Sequence, residues 1–177
     1  MTLFLILLLI WFVNYFSMTP LFIDPEIRKS LGAEFFGLFD GFPKDPNEPL
    51  FDSALFPFDS IVLSPHFRVS EVVHSVTADL RGIKNPITFN QILNAAVLAR
   101  TVLEPLRSFL DRPLIISSWF RSPALNYAVG GVPHSYHLEA RAADIPMTSK
   151  EIVFASDWCR SHLFKFIKYK TFLHVQI

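Results

Sequence analysis

Only one cysteine, Cys159, occurs in the 177 residues. That excludes an intrachain disulfide, and its place in an apolar helical stretch reads as a buried structural thiol. Net charge is also missing, since sixteen Lys and Arg balance sixteen Asp and Glu. A nucleic-acid partner would call for a basic stripe, so none is expected. No internal repeat is present, which leaves one domain as the prior for this length. Two local absences carry more information. No charged side chain occurs from Met1 to Ile23, and no Asp or Glu occurs after Asp157.

What is present is apolar: hydrophobic residues make up 51% of the chain, including 19 Phe. Much of that excess lies in the first 60 residues. Leu3 to Val13 is an unbroken apolar run, and a helix over residues 1–23 is long enough to cross a hydrocarbon core of about 30 Å. Residues 1–23 therefore read as a transmembrane anchor, with a cleaved signal segment or a buried segment as the alternatives. A signal peptide wants a basic start and a small-x-small cleavage site, whereas Ser17-Met18-Thr19 is followed by Pro20. Residues 24–66 change composition, with Pro25, Pro43, Pro46, Pro49, Pro57 and Pro65 among Phe and Asp. No helical or strand period persists there, so this stretch reads as an irregular tether. Residues 67–177 form the domain proper.

Within that domain, Ser70 is a plausible cap for a helix through Leu80, stopped by Gly82 and Asn85-Pro86. Ile92, Leu93, Ala96, Ala99, Leu103, Leu106 and Leu110 recur at helical spacing, predicting a long helix from Thr88 to Asp111. Pro105 falls inside it and predicts a kink near Leu103. Leu114 to Ser117 reads as a buried strand, and Arg141 to Ile145 as a second. Thr148 and Glu151 form a capping box opening a helix to His162. Phe164–Tyr169 and Phe172–Ile177 read as closing strands. Helices followed by an antiparallel sheet predict an α+β domain.

His137 and Asp144 lie seven apart in Ser135-Tyr-His137-Leu-Glu139-Ala140-Arg-Ala142-Ala-Asp144, and His174 lies thirty beyond in an apolar run. Two imidazoles and a carboxylate form a ligand set for catalytic Zn2+, with a fourth position left open. The segment resembles the S-x-H-x-x-G-x-A-x-D signature of the zinc D-alanyl-D-alanine carboxypeptidase and endopeptidase family, which places a later histidine on a terminal strand. Ser117-Ser118-Trp-Phe-Arg121-Ser122-Pro123-Ala-Leu-Asn126 with Val129-Gly130-Gly131 resembles its S-G-Y-R-S-P-x-L-N…V-G-G segment. Phe67-Arg-Val-Ser70-Glu71 through Gly82-Ile-Lys-Asn85 resembles its opening helix. The resemblance thus covers residues 67–177 and implies a hedgehog/DD-peptidase-like fold of helices on a small antiparallel sheet.

It also implies a zinc metallopeptidase acting on peptidoglycan peptides, at D-Ala-D-Ala or a cross-link bond, with metal ligands His137, Asp144 and His174. Arg121 matches an arginine that binds a substrate carboxylate or the developing oxyanion; pinning its own loop is the alternative. Ser135 would orient the zinc loop or a substrate group. Asn126 is a candidate substrate contact, or else a loop anchor. Two positions depart from the pattern. Ala140 stands where the family has glycine, a mild change unless the backbone there needs positive φ. The glutamate expected shortly before the last histidine, as general base, is absent from Tyr169-Lys-Thr171-Phe-Leu-His174. Glu139 and Glu71 are the candidate replacements, and His134 is another possible base or ligand. The second function class is therefore a catalytically impaired, zinc-containing cell-wall-binding module. A monomer at the cell envelope, membrane-anchored or secreted and of bacterial or phage origin, suits either reading.

Overall fold

The computed structural model describes residues 47–51 and 57–177, all within one compact unit, Leu38–Ile177. The apolar segment 1–23 and most of the Pro/Phe-rich stretch 24–66 lie outside the described residues. Among the described residues no helix is long and apolar enough to cross a membrane. Part of the Pro/Phe-rich stretch packs on the domain: Leu50 bridges Ile87 through two backbone hydrogen bonds, and Leu50, Phe58, Ile61 and Leu63 are buried.

A short hairpin, β1 (Val62–Ser64) and β2 (Phe67–Arg68), leads into α1 (Val69–Val73) and α2 (Val76–Arg81). One helix was expected here, and it divides at His74-Ser75. The backbone explains the break. The Val72 and Val73 carbonyls accept from the Phe120 N–H and the Asn85 side chain, and Ser75 caps the second helix. Its stop at Gly82 is as expected.

The long central helix follows as α3 (Phe89–Leu98), a π-turn over Ala99–Leu103, and α4 (Glu104–Leu110). Thr88 and Gln91 form a reciprocal capping box at its start. Pro105 has no N–H for the residue 101 carbonyl and its ring crowds that turn. The chain answers with a widened turn, in which the Glu104 N–H reaches the Ala99 carbonyl, rather than with a simple kink. Ile92, Leu93, Ala96, Ala99, Leu103 and Leu106 are buried as the spacing predicts. Ser64 and His66, from the hairpin, both hydrogen-bond the Glu104 carboxylate at 2.7 and 2.8 Å and fasten β1–β2 to α4.

Leu114 to Ser117 is not a strand. Ile115 is 72% exposed, and the stretch meets the sheet only at its end, where Ser117 and Ser118 hydrogen-bond the Asp144 backbone. After α5 (Pro123–Ala128) and a 3₁₀ turn at Tyr136–Glu139 comes β3 (Ala142–Pro146), then α6 (Ser149–Ser161), β4 (Lys165–Lys168) and β5 (Phe172–Gln176). These last elements match the periodicity, and the sheet order is β3-β5-β4, antiparallel throughout. The result is an α+β domain with two small antiparallel sheets.

Candidate metal centre

Register builds the site. In the antiparallel β3–β5 pair Asp144 lies directly opposite His174, so the two side chains rise from the same face at close range. His137 arrives from the 3₁₀ turn. Ser135 caps that turn, with its hydroxyl 3.4 Å from the His137 N–H, and Ala140 closes it in the left-handed region at φ 57°. Two carboxamides of α3 steady it from below. Gln91 donates to the Leu138 carbonyl and Asn94 to the Glu139 carbonyl, both at 2.9 Å. The Arg121 N–H donates to the His137 carbonyl at 3.0 Å.

The three side chains are buried: His137 is 2%, Asp144 7% and His174 9% exposed. His137 Nε2 lies 3.3 Å and His174 Nδ1 2.7 Å from Asp144 Oδ1. One potential ligand atom from each residue lies within 4.8 Å of the others, and this is the one such group among the described residues. Ligand bonds of about 2.1 Å at tetrahedral angles set neighbouring ligand atoms about 3.4 Å apart, so a small divalent cation fits with little movement.

The outer hydrogen bonds select the right lone pairs. His137 Nδ1 lies 2.6 Å from the Trp119 carbonyl. A carbonyl can only accept, so Nδ1 carries the proton and Nε2 offers its lone pair inward. His174 Nε2 lies 3.0 Å from Gln176 Oε1, which leaves Nδ1 facing Asp144. Trp119 is itself held by its indole N–H on the Ala140 carbonyl.

Burial opposes ionisation of Asp144. Its close contacts with His137 and His174, and the Arg121 charge, outweigh it and hold the carboxyl well below the ordinary range. Arg121 donates Nη2 to Asp144 Oδ2 at 2.6 Å and Nε to Ser118 Oγ at 2.7 Å. Burial lowers its own pKa, opposed by Asp144 and by Tyr169.

The remaining candidates stand apart from the cluster. Glu139 is exposed and faces Arg141 at 3.4 Å. Glu71 accepts from the Arg68 N–H at the start of α1, and His134 is exposed. Asn126 is buried and donates to the Val132 carbonyl at 2.9 Å, anchoring its loop. A Cβ at Gly131 would sit 2.1 Å from Asn126 Oδ1, so glycine alone fits there. Gln91, Asn94, Trp119 and Gln176 support the site without having been singled out in the sequence. Only the capping-box spacing of Gln91 from Thr88 hinted at any of them.

A sequence profile described as peptidase M15 matches residues 65–176. Searches of curated proteins and of solved structures found no match.

Proposed function

Because the chain belongs to the peptidase M15 family, we propose that it is a zinc-dependent peptidase whose metal is held by His137, Asp144 and His174. The single observation carrying this is the buried His–Asp–His cluster with its ligand atoms within 4.8 Å. Two imidazoles and one carboxylate leave a coordination position open, the mark of a catalytic rather than a closed structural zinc site. Zinc there supplies Lewis acidity to a water and to the scissile carbonyl.

The protein's own groups do the rest. Trp119 and Gln176 fix the two imidazoles, and Arg121 keeps the Asp144 carboxylate ionised and oriented. Arg121 lies directly against Asp144, and its remaining donors suit an oxyanion or a substrate carboxylate. The substrate reading is peptidoglycan peptides, cut at D-Ala-D-Ala or at a cross-link, on a hedgehog/DD-peptidase-like scaffold formed by residues 67–177. Ser135 and Asn126 shape the approach. Residues 1–23 would anchor a monomer at the cell envelope or direct its secretion, with 24–66 as the connection, in a bacterium or a phage.

A second reading is favoured by one observation. With no Asp or Glu after Asp157, and with Glu139 and Glu71 turned to Arg141 and the α1 cap, neither candidate carboxylate stands ready to take a proton. His134 and Glu139 remain the nearest in sequence for that role. Loss of general acid–base help costs about 10²–10⁴ in rate, so turnover is slow, and a zinc-containing wall-binding module is the limiting case. Digestion of purified cross-linked muropeptides with zinc or with chelator decides between them. Zinc-dependent release of cleaved peptide supports the peptidase; tight binding without any product supports the binding module.

A further inference from the structure

The face of the sheet that carries the ligands does not end at His174. Ile167 of β4 is the cross-strand partner of His174, which is the partner of Asp144, so the three lie in one row. The rows on either side are Ala142–Gln176–Lys165 and Pro146–Phe172–Tyr169. Two contacts fix which way β4 points. Phe166, on the opposite face, lies 5.7 Å from the Arg160 guanidinium of α6. Tyr169 stacks on Phe172 with ring centroids 4.3 Å apart and planes at 12°. Lys165, Ile167 and Tyr169 therefore flank the metal centre on its own side of the sheet. Ile167 and Tyr169 are 48% and 47% exposed, and Lys165 is exposed too. Tyr169 is also within electrostatic reach of Arg121.

Charge singles out the same strand. Residues 158–177 hold Arg160, Lys165, Lys168 and Lys170 and no acidic side chain, in a chain whose charges balance overall. Among the described residues no ion pair engages Lys165, Lys168 or Lys170. A solvated lysine beside a buried, charge-compensated metal site is free to meet a ligand anion. Arg121 is less free, since two of its nitrogens are committed to Asp144 and Ser118.

We propose that the site-facing side of β4 is the wall of the substrate cleft, with Lys165 taking a carboxylate of an acidic peptide and Ile167 and Tyr169 carrying its apolar stretch past His174. This rests on the peptidase reading and adds the residues that choose the substrate. Lys168 provides an internal control, because it sits on the same strand with the opposite orientation.

The test uses the full chain in chelator and a fluorescein-labelled peptidoglycan stem pentapeptide, with its carboxylates free or amidated. The free-acid peptide should bind more tightly than the amidated one. Lys165→Glu should weaken it about tenfold and Lys168→Glu less than about threefold, as expected for a direct contact against a distant charge of equal size. Equal losses in the two variants would mean a diffuse field and would overturn the subsite, as would absence of binding to wild type. Cleavage with zinc is read separately. Binding that shows this face dependence without any cleavage removes the peptidase reading and leaves the cleft; cleavage whose KM is unmoved by Lys165→Glu does the reverse.

Discussion

Removing the Asp144 carboxylate should cost the metal-free protein about 3–5 kcal/mol. Asp144 is in contact with three side chains at once, His137, His174 and Arg121, and both it and Arg121 are largely buried. The imidazoles can do without the carboxylate, since the Trp119 carbonyl and Gln176 Oε1 still hold them. The Arg121 guanidinium cannot: in Asp144→Ala it stays charged, with 15% side-chain exposure and only Ser118 as a side-chain partner. Stranding one member of a buried ion pair carries the penalty just given, a large share of the 5–15 kcal/mol that holds a typical domain together. If that is the mechanism, most of the loss should disappear in the double variant Asp144→Ala/Arg121→Met, which removes both charges. Urea denaturation of wild type, the two single variants and the double variant completes the cycle. It must be run in chelator, because a bound metal would add its own stabilisation. The sign with pH is also fixed. A carboxyl held below its ordinary range stabilises the fold above its unfolded pKa of about 3.9 and loses that contribution as pH falls further. The wild-type advantage should therefore be full near pH 6 and shrink below pH 4. A single-variant loss under about 1 kcal/mol, or a double variant as unstable as Asp144→Ala, would refute the reasoning.

Glu104 offers a second pH test away from the metal. Burial alone would raise its pKa, but hydrogen bonds from His66 and Ser64 hold it below the ordinary value, so Glu104→Gln should destabilise the protein at pH 6 and cost progressively less as pH falls through about 4.3; an unchanged gap at pH 3 would contradict this. Cys159 is buried, and that burial pushes its thiol up to about 11. A thiol reagent at pH 8 should label it only as fast as the domain opens, so prompt stoichiometric labelling of folded protein would show the packing around α6 to be wrong. Arg121→Ala should abolish muropeptide cleavage while leaving zinc bound, because the guanidinium is not a ligand; retained cleavage would remove Arg121 from the mechanism.

What could be read from the sequence, and what could not, divides along physical lines. The cluster of His137, Asp144 and His174 was legible because a strand register and a tight turn impose fixed spacings, and β3, α6, β4 and β5 were legible from period and from the Thr148–Glu151 box. The left-handed backbone of Ala140 was not, although the change from the family's glycine pointed to it. An L-residue there is strained by about 1–2 kcal/mol, and its buried methyl returns about 0.8 kcal/mol, so the site tolerates alanine. The π-turn escaped because Pro105 announces a lost hydrogen bond without saying how the helix absorbs it. Gln91 and Asn94 act on backbone carbonyls some 45 residues away, and Trp119 acts through its own carbonyl, so side-chain chemistry gave no sign of them. Leu114–Ser117 misled because apolar composition cannot tell a strand from a segment that turns Ile115 outward.

The central claim is that three residues hold one zinc. Elemental analysis of the full chain after reconstitution and desalting, for wild type and His174→Ala side by side, tests it directly. One zinc per chain in wild type and none in His174→Ala is the predicted result; a wild type that retains no zinc, or a His174→Ala variant that still holds one, would contradict it.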